Sequence, residues 1–379
     1  VSLVQAATLG HDARGLCKVA RVCGGCPQIE ADPALSRKRT LSSVLQLFGA
    51  AECVPRQLDA YMEQSPIAYR NRVRLRVLDD GRLGFFNSEK SPSCVVLDVT
   101  LRRLLEELRS RLSGAPHVLK GYAHLELRTA DMNGHAGLLL TRCAPGSAET
   151  RMHHPRHEPR ADDMSGDGYL GTALADLLQG VPILVGESHW AKVPQQKFPL
   201  TEAVFQWVPL DGFMQVNFAV NHALIKWLMG GARAHGISSV LDLYAGSGNF
   251  LLPLLAQGYA GLGVESNASS VRSAQQSIAQ QGLAGEFVHS DVAAWLRDNP
   301  RHFSLTVVDA PRAGLRDLAD AVGRLRSDHI ALVSCNPRSL VRDLVRLVAL
   351  GYTVQSLRVF DMFAYTDHVE LGVWLSRNG

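Results

Sequence analysis

LDLYAGSGNF, residues 241–250, decides the fold. An apolar run with one acid breaks at a turn carrying Gly246 and Gly248, and a helical segment, LLPLLAQGY, follows. Beyond it GLGVES, EFVHSD, LTVVDA and IALVSC read as short strands, with a helix over 268–282 and further helical segments between. From about residue 206 the chain therefore alternates strand and helix, which predicts a parallel sheet covered on both faces. Ligands of such sheets lie beyond the carboxyl ends of the strands. Those ends carry Gly246, Glu265, Asp291, Asp309 and Cys335. One glycine loop is weak evidence, but glycine, three acids and a thiol together predict a cofactor and active-site face.

The loop has Gly-x-Gly but no third glycine at the helix start, and no Gly-Lys-Ser/Thr. Nothing obvious is built to hold a pyrophosphate. Glu265 follows Gly246 by nineteen residues, about the spacing at which an acid meets a ribose hydroxyl. With Asp291 as a second acid for an adenine amino group, the set suits an adenosyl ligand without phosphates, S-adenosylmethionine. LVSCNPRSL, 332–340, ends a strand on Cys335 just before Asn-Pro. A free cysteine is commonly a small core residue, whereas at a strand tip beside acids it is a candidate nucleophile.

The N-terminal half is irregular. Helical stretches lie near 33–49 and 100–113, and YRNRVRLRV, 69–77, places Arg72, Arg74 and Arg76 on one face of a strand, apt for phosphates or for solvent. RMHHPRHEPRADDMSGDG, 151–168, reads as an exposed loop; its His153, His154 and His157 lack partners at metal-ligand spacing. GLCKVARVCGGCPQI sets Cys17, Cys23 and Cys26 at C-x5-C-x2-C spacing. Three cysteines so close suggest metal ligands, either for structural zinc or for a [4Fe–4S] cluster with a fourth thiolate.

The whole composition is that of a globular protein: 379 residues, 46% hydrophobic and 20% charged, with 39 basic and 36 acidic side chains. That length predicts two domains, and the balance of charge does not by itself argue for nucleic acid. Seven cysteines are too few for a disulfide scaffold. No apolar run approaches the roughly 18 residues of a membrane span, and the first residues do not read as a secretory signal. The cytoplasm is the default expectation.

Four motifs, in order, resemble those of the RNA uracil-C5 methyltransferases, which make 5-methyluridine: FMQVN (213–217), DLYAGSGNF (242–250), VDAPRAGL (308–315) and SCNPRSLVRDL (334–344). FDMFAYTDHVELGVWL, 360–375, closes the chain as in that family. The resemblance implies a Rossmann-like class I methyltransferase domain at 209–379 and an N-terminal iron–sulfur and central α+β domain at 1–208. A helical stretch about 31–57 would pack on the catalytic part. It implies Cys335 as nucleophile toward uracil C6 and Glu370 as the base at C5. Asp309 would hold the uracil edge, with Arg312 beside the enolate or the RNA. Gln215, Tyr244, Gly246, Glu265, Asp291 and Asp309 would line the S-adenosylmethionine site. Family members also carry a [4Fe–4S] cluster with the x5 and x2 spacing, so Cys17, Cys23, Cys26 and Cys94 are the expected ligands, with Cys53 and Cys143 as alternatives for the fourth. The family has Asp-Pro-Pro-Arg where this chain has Asp309-Ala310-Pro311-Arg312, so a subtle backbone change is expected there. GHDARGL, 10–16, resembles the tail of a TRAM-type RNA-binding barrel whose body is missing, so the central domain is expected to make most RNA contacts. The expected partner is ribosomal or transfer RNA, bound by a monomer away from membranes. Methylation of another nucleobase, and RNA binding without catalysis, stay open at this point.

Overall fold

The computed structural model describes residues 13–63, 67–85, 94–143, 174, 177–187, 193–299 and 301–378. The 151–168 stretch with His153, His154 and His157 lies outside them, as do residues 1–12. In chain order the elements are α1 (Ala20–Cys23), α2 (Pro33–Ala50), β1 (Gln57–Glu63), β2 (Arg72–Val77), β3 (Leu83–Gly84), α3 (Val99–Ser113), β4 (Tyr122–Arg128), β5 (Ala136–Arg142) and β6 (Ile183–Glu187). There follow β7 (Gln195–Pro199), β8 (Phe205–Pro209), α4 (Phe218–Ala234), β9 (Ser239–Leu243), α5 (Leu251–Leu255), β10 (Ala260–Glu265), α6 (Ala268–Gln281) and β11 (Glu286–His289). The chain ends with α7 (Val292–Asp298), β12 (Leu305–Asp309), α8 (Leu318–Arg324), β13 (His329–Ser334), α9 (Pro337–Ala349), β14 (Tyr352–Phe360) and β15 (Glu370–Arg377).

The large sheet has the order β1-β14-β15-β13-β12-β9-β10-β11. It is not wholly parallel as the strand–helix alternation suggests, because β15 runs antiparallel to both β13 and β14. The nine residues 361–369 between β14 and β15 explain the reversal: a parallel crossover takes a dozen residues or more. Alternate strand residues feed two cores. Leu241, Leu243, Val308 and Leu332 pack with Trp295, Val322 and Leu344 on one face. Val240, Val307, Ala331 and Val333 pack with Val220, Leu254 and Val271 on the other.

The N-terminal half does not stand apart. Val44 and Phe48 of α2, with Cys53, are buried in the first of those cores. β1 adds to the sheet edge parallel to β14, Gln57 opposite Ser356. The β7–β8 hairpin, ahead of residue 209, also docks on the catalytic part, with the Phe205 amide donating to Gln281 Oε1 (3.0 Å) and the Trp207 amide to Ser277 Oγ (2.9 Å). A second sheet, β3-β2-β4-β5-β6, is covered by α3 through Leu101, Leu105 and Leu108. It is fastened to the loop before α4 by Arg128, which is 2% exposed. Arg128 donates to the carbonyls of Pro209 (3.0 Å) and Gly212 (2.6 Å) and to Glu126 (3.0 Å).

Val73 and Leu75 of β2 point inward and the arginines between them point away, with Arg74 and Arg76 exposed. Arg72 differs: it is half-buried, 3.9 Å from Glu126, and lies over the Phe213 ring at 5.7 Å. Among the described residues no helix is long and apolar enough to cross a membrane.

Phe48→Ala should destabilise the protein by about 3–5 kcal/mol, the usual cost of emptying a buried phenylalanine site, read as a lowered urea midpoint in tryptophan fluorescence. An unchanged midpoint would show that α2 is no part of the catalytic core.

Candidate active site

The reversal of β15 assembles the site. In the β13–β15 ladder Ser334 stands opposite Leu371. One step further along this antiparallel register sets Cys335 against Glu370, the first residue of β15. Directly opposed residues have Cβ atoms about 4.5–5.5 Å apart. Asp309 ends the next strand, opposite Val333. By the same alternation Asp242, Asp309 and Cys335 share the sheet face of Val240, Val307 and Val333. Four adjacent strands, β15-β13-β12-β9, thus bring Glu370, Cys335, Asp309 and Asp242 to one face and one end of the sheet.

The sequence after Cys335 holds that end in place. Asn336 caps α9, its Oδ1 accepting from the amides of Arg338 (3.1 Å) and Ser339 (3.5 Å), and Pro337 takes the first helical position. Asn336 Nδ2 (3.0 Å) and Ser339 Oγ (3.1 Å) donate to the Arg312 carbonyl. Asp343 accepts from the Leu315 amide at 2.6 Å. The SCNPRSLVRDL motif therefore fixes the VDAPRAGL loop, and Ala310 packs against the core beneath it. Arg312 is exposed, with Nη2 at 3.3 Å from His368 Nδ1.

The carboxyls crowd one another. Burial, and then the nearby Asp309, push Glu370 well above the ordinary carboxylate range. Burial pushes half-buried Asp309 up to about 7. Burial, then the charges of Asp309 and Glu265, raise Asp242, which is 1% exposed. Neither Asp242 oxygen meets hydrogen-bond geometry, although the Leu251 amide lies near enough to favour its charged form. Burial and the Glu370 charge raise the Cys335 thiol to about 11, and Arg312 pulls the other way.

Beside this group lies the glycine loop. Tyr244, Gly246 and Gly248 all have positive φ, at 62°, 56° and 94°. A Cβ on Gly246 would meet nothing within 4 Å, so its open side is free for a ligand; one on Gly248 would strike Leu252 Cγ at 2.7 Å. Positive φ at a tyrosine is strained backbone of the kind found at ligand sites. The Gly246 amide donates to Glu265 Oε2 (2.9 Å) and the Asn267 amide to Oε1 (2.7 Å). Ser266 Oγ also donates to Oε1 (3.2 Å), so Oε2 is the oxygen that keeps a free acceptor position. Asp291 is exposed and caps α7 through the Ala294 amide (3.0 Å), and its charge bears on Tyr244. Buried Gln215 reaches Asp309 Oδ2 at 3.4 Å, and its own carbonyl accepts from Asn71 Nδ2 at 3.0 Å.

The thiols of Cys17, Cys23, Cys26 and Cys94 also gather. Burial, Cys94, Cys23 and Cys17 together push Cys26 up to about 12, with Arg70 opposing. Cys17, Cys26 and Cys94 pack on one small apolar cluster with Ile29, Tyr69 and Ala364. Cys53 is buried in the catalytic core instead, and the cysteine set does not include Cys143. Among the described residues no three His, Cys, Asp or Glu side chains are close enough to share one metal ion. Sequence reasoning passed over Asp242, although an acid inside an apolar strand was its visible signal. It also passed over Asn71 and Arg128, whose roles depend on tertiary contacts with no local pattern.

Residues 196–286 and 297–378 match the family model described as tRNA (Uracil-5-)-methyltransferase. The 23S rRNA (uracil(1939)-C(5))-methyltransferase RlmD of Klebsiella pneumoniae is 29% identical over 373 residues, 94% of this chain and 80% of that protein. RlmD of Pectobacterium atrosepticum is 27% identical over 362 residues, 92% of this chain and 76% of its own length. Among solved structures, the Pyrococcus abyssi tRNA (uracil-54, C5)-methyltransferase, in complex with S-adenosyl-L-homocysteine, superposes with a TM-score of 0.67 at 18% identity, covering 93% of this chain and 86% of that one.

Replacing Asp309 with Asn tests the crowding. A carboxyl whose pKa is raised on folding favours the folded state below its unfolded value near 3.8, and that contribution is lost as pH rises through about 7. Asp309→Asn should therefore be more stable than wild type at pH 8, by about 1.4 kcal/mol for each unit of the raised pKa. The advantage should shrink as pH falls toward 5. Urea midpoints that differ equally at both pH values would refute the shared burial of these carboxyls. Fold, carboxyl crowding and the three comparisons meet on one group of proteins, and this chain is similar to enzymes that methylate uracil C5 in RNA.

Proposed function

We propose that the protein methylates C5 of a uridine in RNA, with S-adenosylmethionine as methyl donor. The observation that carries this is the register that sets a thiol, Cys335, opposite a buried carboxyl, Glu370, beside Asp309. Uracil C5 is a poor nucleophile toward a sulfonium methyl. When Cys335 sulfur bonds to C6, electron density moves to C5, which can then take the methyl group. Glu370 removes the C5 proton, and the C6–sulfur bond breaks to free the thiol. Because the resting thiol keeps its proton at neutral pH, that proton must move as the base enters, and exposed Arg312 is the cation placed to favour the thiolate. Asp309, protonated near neutrality, can donate to a uracil oxygen. A base inside a helix cannot reach this pair, so the uridine is flipped out or unpaired.

The residues fit the methyl donor. Glu265 Oε2 offers a free lone pair for a ribose hydroxyl, Gly246 presents an open backbone, and Tyr244 with Asp291 borders the adenine side. Ribosomal RNA is the favoured substrate class, since the RlmD relatives, at 27% and 29% identity against 18% for the transfer-RNA enzyme, are 23S rRNA enzymes.

We also assign a [4Fe–4S] cluster to Cys17, Cys23, Cys26 and Cys94. A single zinc with bonds of about 2.3 Å would need sulfurs about 3.8 Å apart. Four thiols that influence one another without any three closing on one ion suit a cluster, in which each thiolate takes its own iron. Bound there, it would brace the loop of Cys26; methyl transfer needs no redox step.

Two experiments test these assignments. Cys335→Ala should form no covalent protein–RNA species, whereas Glu370→Gln should accumulate a methylated adduct that survives boiling, seen as a labelled band on a denaturing gel. Full turnover by Glu370→Gln would place the base elsewhere, with Asp367 or His368 next in line. Glu265→Ala should weaken S-adenosylmethionine by roughly 1.5–3 kcal/mol in calorimetry while RNA affinity holds. Anaerobically purified protein should be brown and Cys23→Ser colourless; stoichiometric zinc in colourless wild type would overturn the cluster.

A further inference from the structure

One cleft is not used by this chemistry. It holds about 450 Å³, is open to solvent, and lies between α2 and the 361–369 loop. Ser36, Arg37 and Thr40 line one wall, and Ala364, His368 and Val369 the other. Arg37 is half-buried, yet no carboxylate or carbonyl among the described residues holds its guanidinium. Asp361 lines the same cleft and has a partner of its own. A cation taken partly out of water without a partner is costly, and a planar guanidinium suits a phosphate. The hydroxyls of Ser36 and Thr40 add further donors.

The position says which phosphate. His368 and Val369 immediately precede Glu370, and His368 touches Arg312 at 3.3 Å. The cleft therefore reaches the candidate active site through His368 and Arg312. A uridine drawn into that pair brings its neighbours with it, and they must leave the stack or strain the chain. Gln28 closes one end: its amide donates to the Tyr365 carbonyl at 3.0 Å, and its side chain to Asp367. Gln28 lies two residues after Cys26, so the cysteine loop builds part of the cleft.

Resting on the uridine-methylation reading, we propose that this cleft binds the nucleotide adjoining the target uridine, with Arg37 on its phosphate. It is a single-nucleotide subsite for RNA, separate from the methyl-donor site.

The test uses the full-length protein and a short fluorescent RNA hairpin with one loop uridine. Arg37→Ala should weaken RNA binding about tenfold, the scale of a charge-assisted hydrogen bond, with S-adenosylmethionine affinity and melting temperature unchanged. Arg37→Lys should recover part of the loss. In wild type, a neutral methylphosphonate at one of the two linkages flanking the uridine should reproduce the weakening, and in Arg37→Ala the same linkage should cause no further loss. Arg324→Ala, an exposed arginine at the opposite end of the sheet, is the control for net charge and should bind like wild type. Binding by Arg37→Ala equal to wild type or to Arg324→Ala would overturn the subsite, as would methylphosphonate effects of equal size in wild type and Arg37→Ala. Affinity is read without turnover, so RNA that binds through Arg37 but is never methylated would sink the methylation reading and leave the subsite standing.

Discussion

A thiol and a carboxyl facing each other across two strands is the constraint around which the rest is organised. Cys335 directly follows β13 and Glu370 begins β15, so they meet only because β15 runs backwards through an otherwise parallel sheet. A parallel strand would have carried its first residue to the far edge, away from the ligand side. The short link over 361–369 forces the reversal and places that loop directly over the site. Asp309 and Asp242 follow on the next strands, and the low-dielectric surroundings ensure that these acids cannot all carry charge together. Burial that raises the proton affinity of these acids suits chemistry that must move one proton off a thiol and another off carbon.

The N-terminal half works on this centre through the loops that surround it. Asn71 holds the backbone of Gln215, which touches Asp309. Arg128 ties the second sheet to Pro209 and Gly212, at the root of the same loop. Glu126 accepts from Arg128 and pairs with Arg72, so a phosphate arriving at Arg72 would compete with a carboxylate that also steadies the loop. The cysteine loop reaches the other side through Gln28. The second sheet and the face of the candidate site are joined by polar struts, each with few alternatives once buried.

The strand–helix alternation and the residues at the strand ends were legible because both depend on local pattern: apolar runs, glycine turns and acids at fixed positions. Helices near 33–49 and 100–113 fall at Pro33–Ala50 and Val99–Ser113 for the same reason. The direction of β15 was not legible from periodicity, since an apolar strand reads the same in either sense; the length of the link was the available clue. Nor did pattern reveal that β1 leaves the N-terminal part to join the catalytic sheet, because edge pairing is decided by what lies nearby in space. Asp291 shows the reverse case. Its place after a strand marked it as a ligand, and the same place makes it the cap of α7, so one carboxylate oxygen is already occupied.

The pairing of β1 with β14 has a consequence for how the protein is made. Gln57 and Ser356 are partners, so about 300 residues of chain lie between the two strands of that edge. During synthesis β1 and the apolar face of α2 leave the ribosome long before β14 exists. Through that interval an unpaired strand and Phe48 have no native partner, which is the circumstance in which chains aggregate or require chaperones. Residues 352–377 close the sheet edge and bring Glu370 to Cys335, so a polypeptide that stops before them has neither.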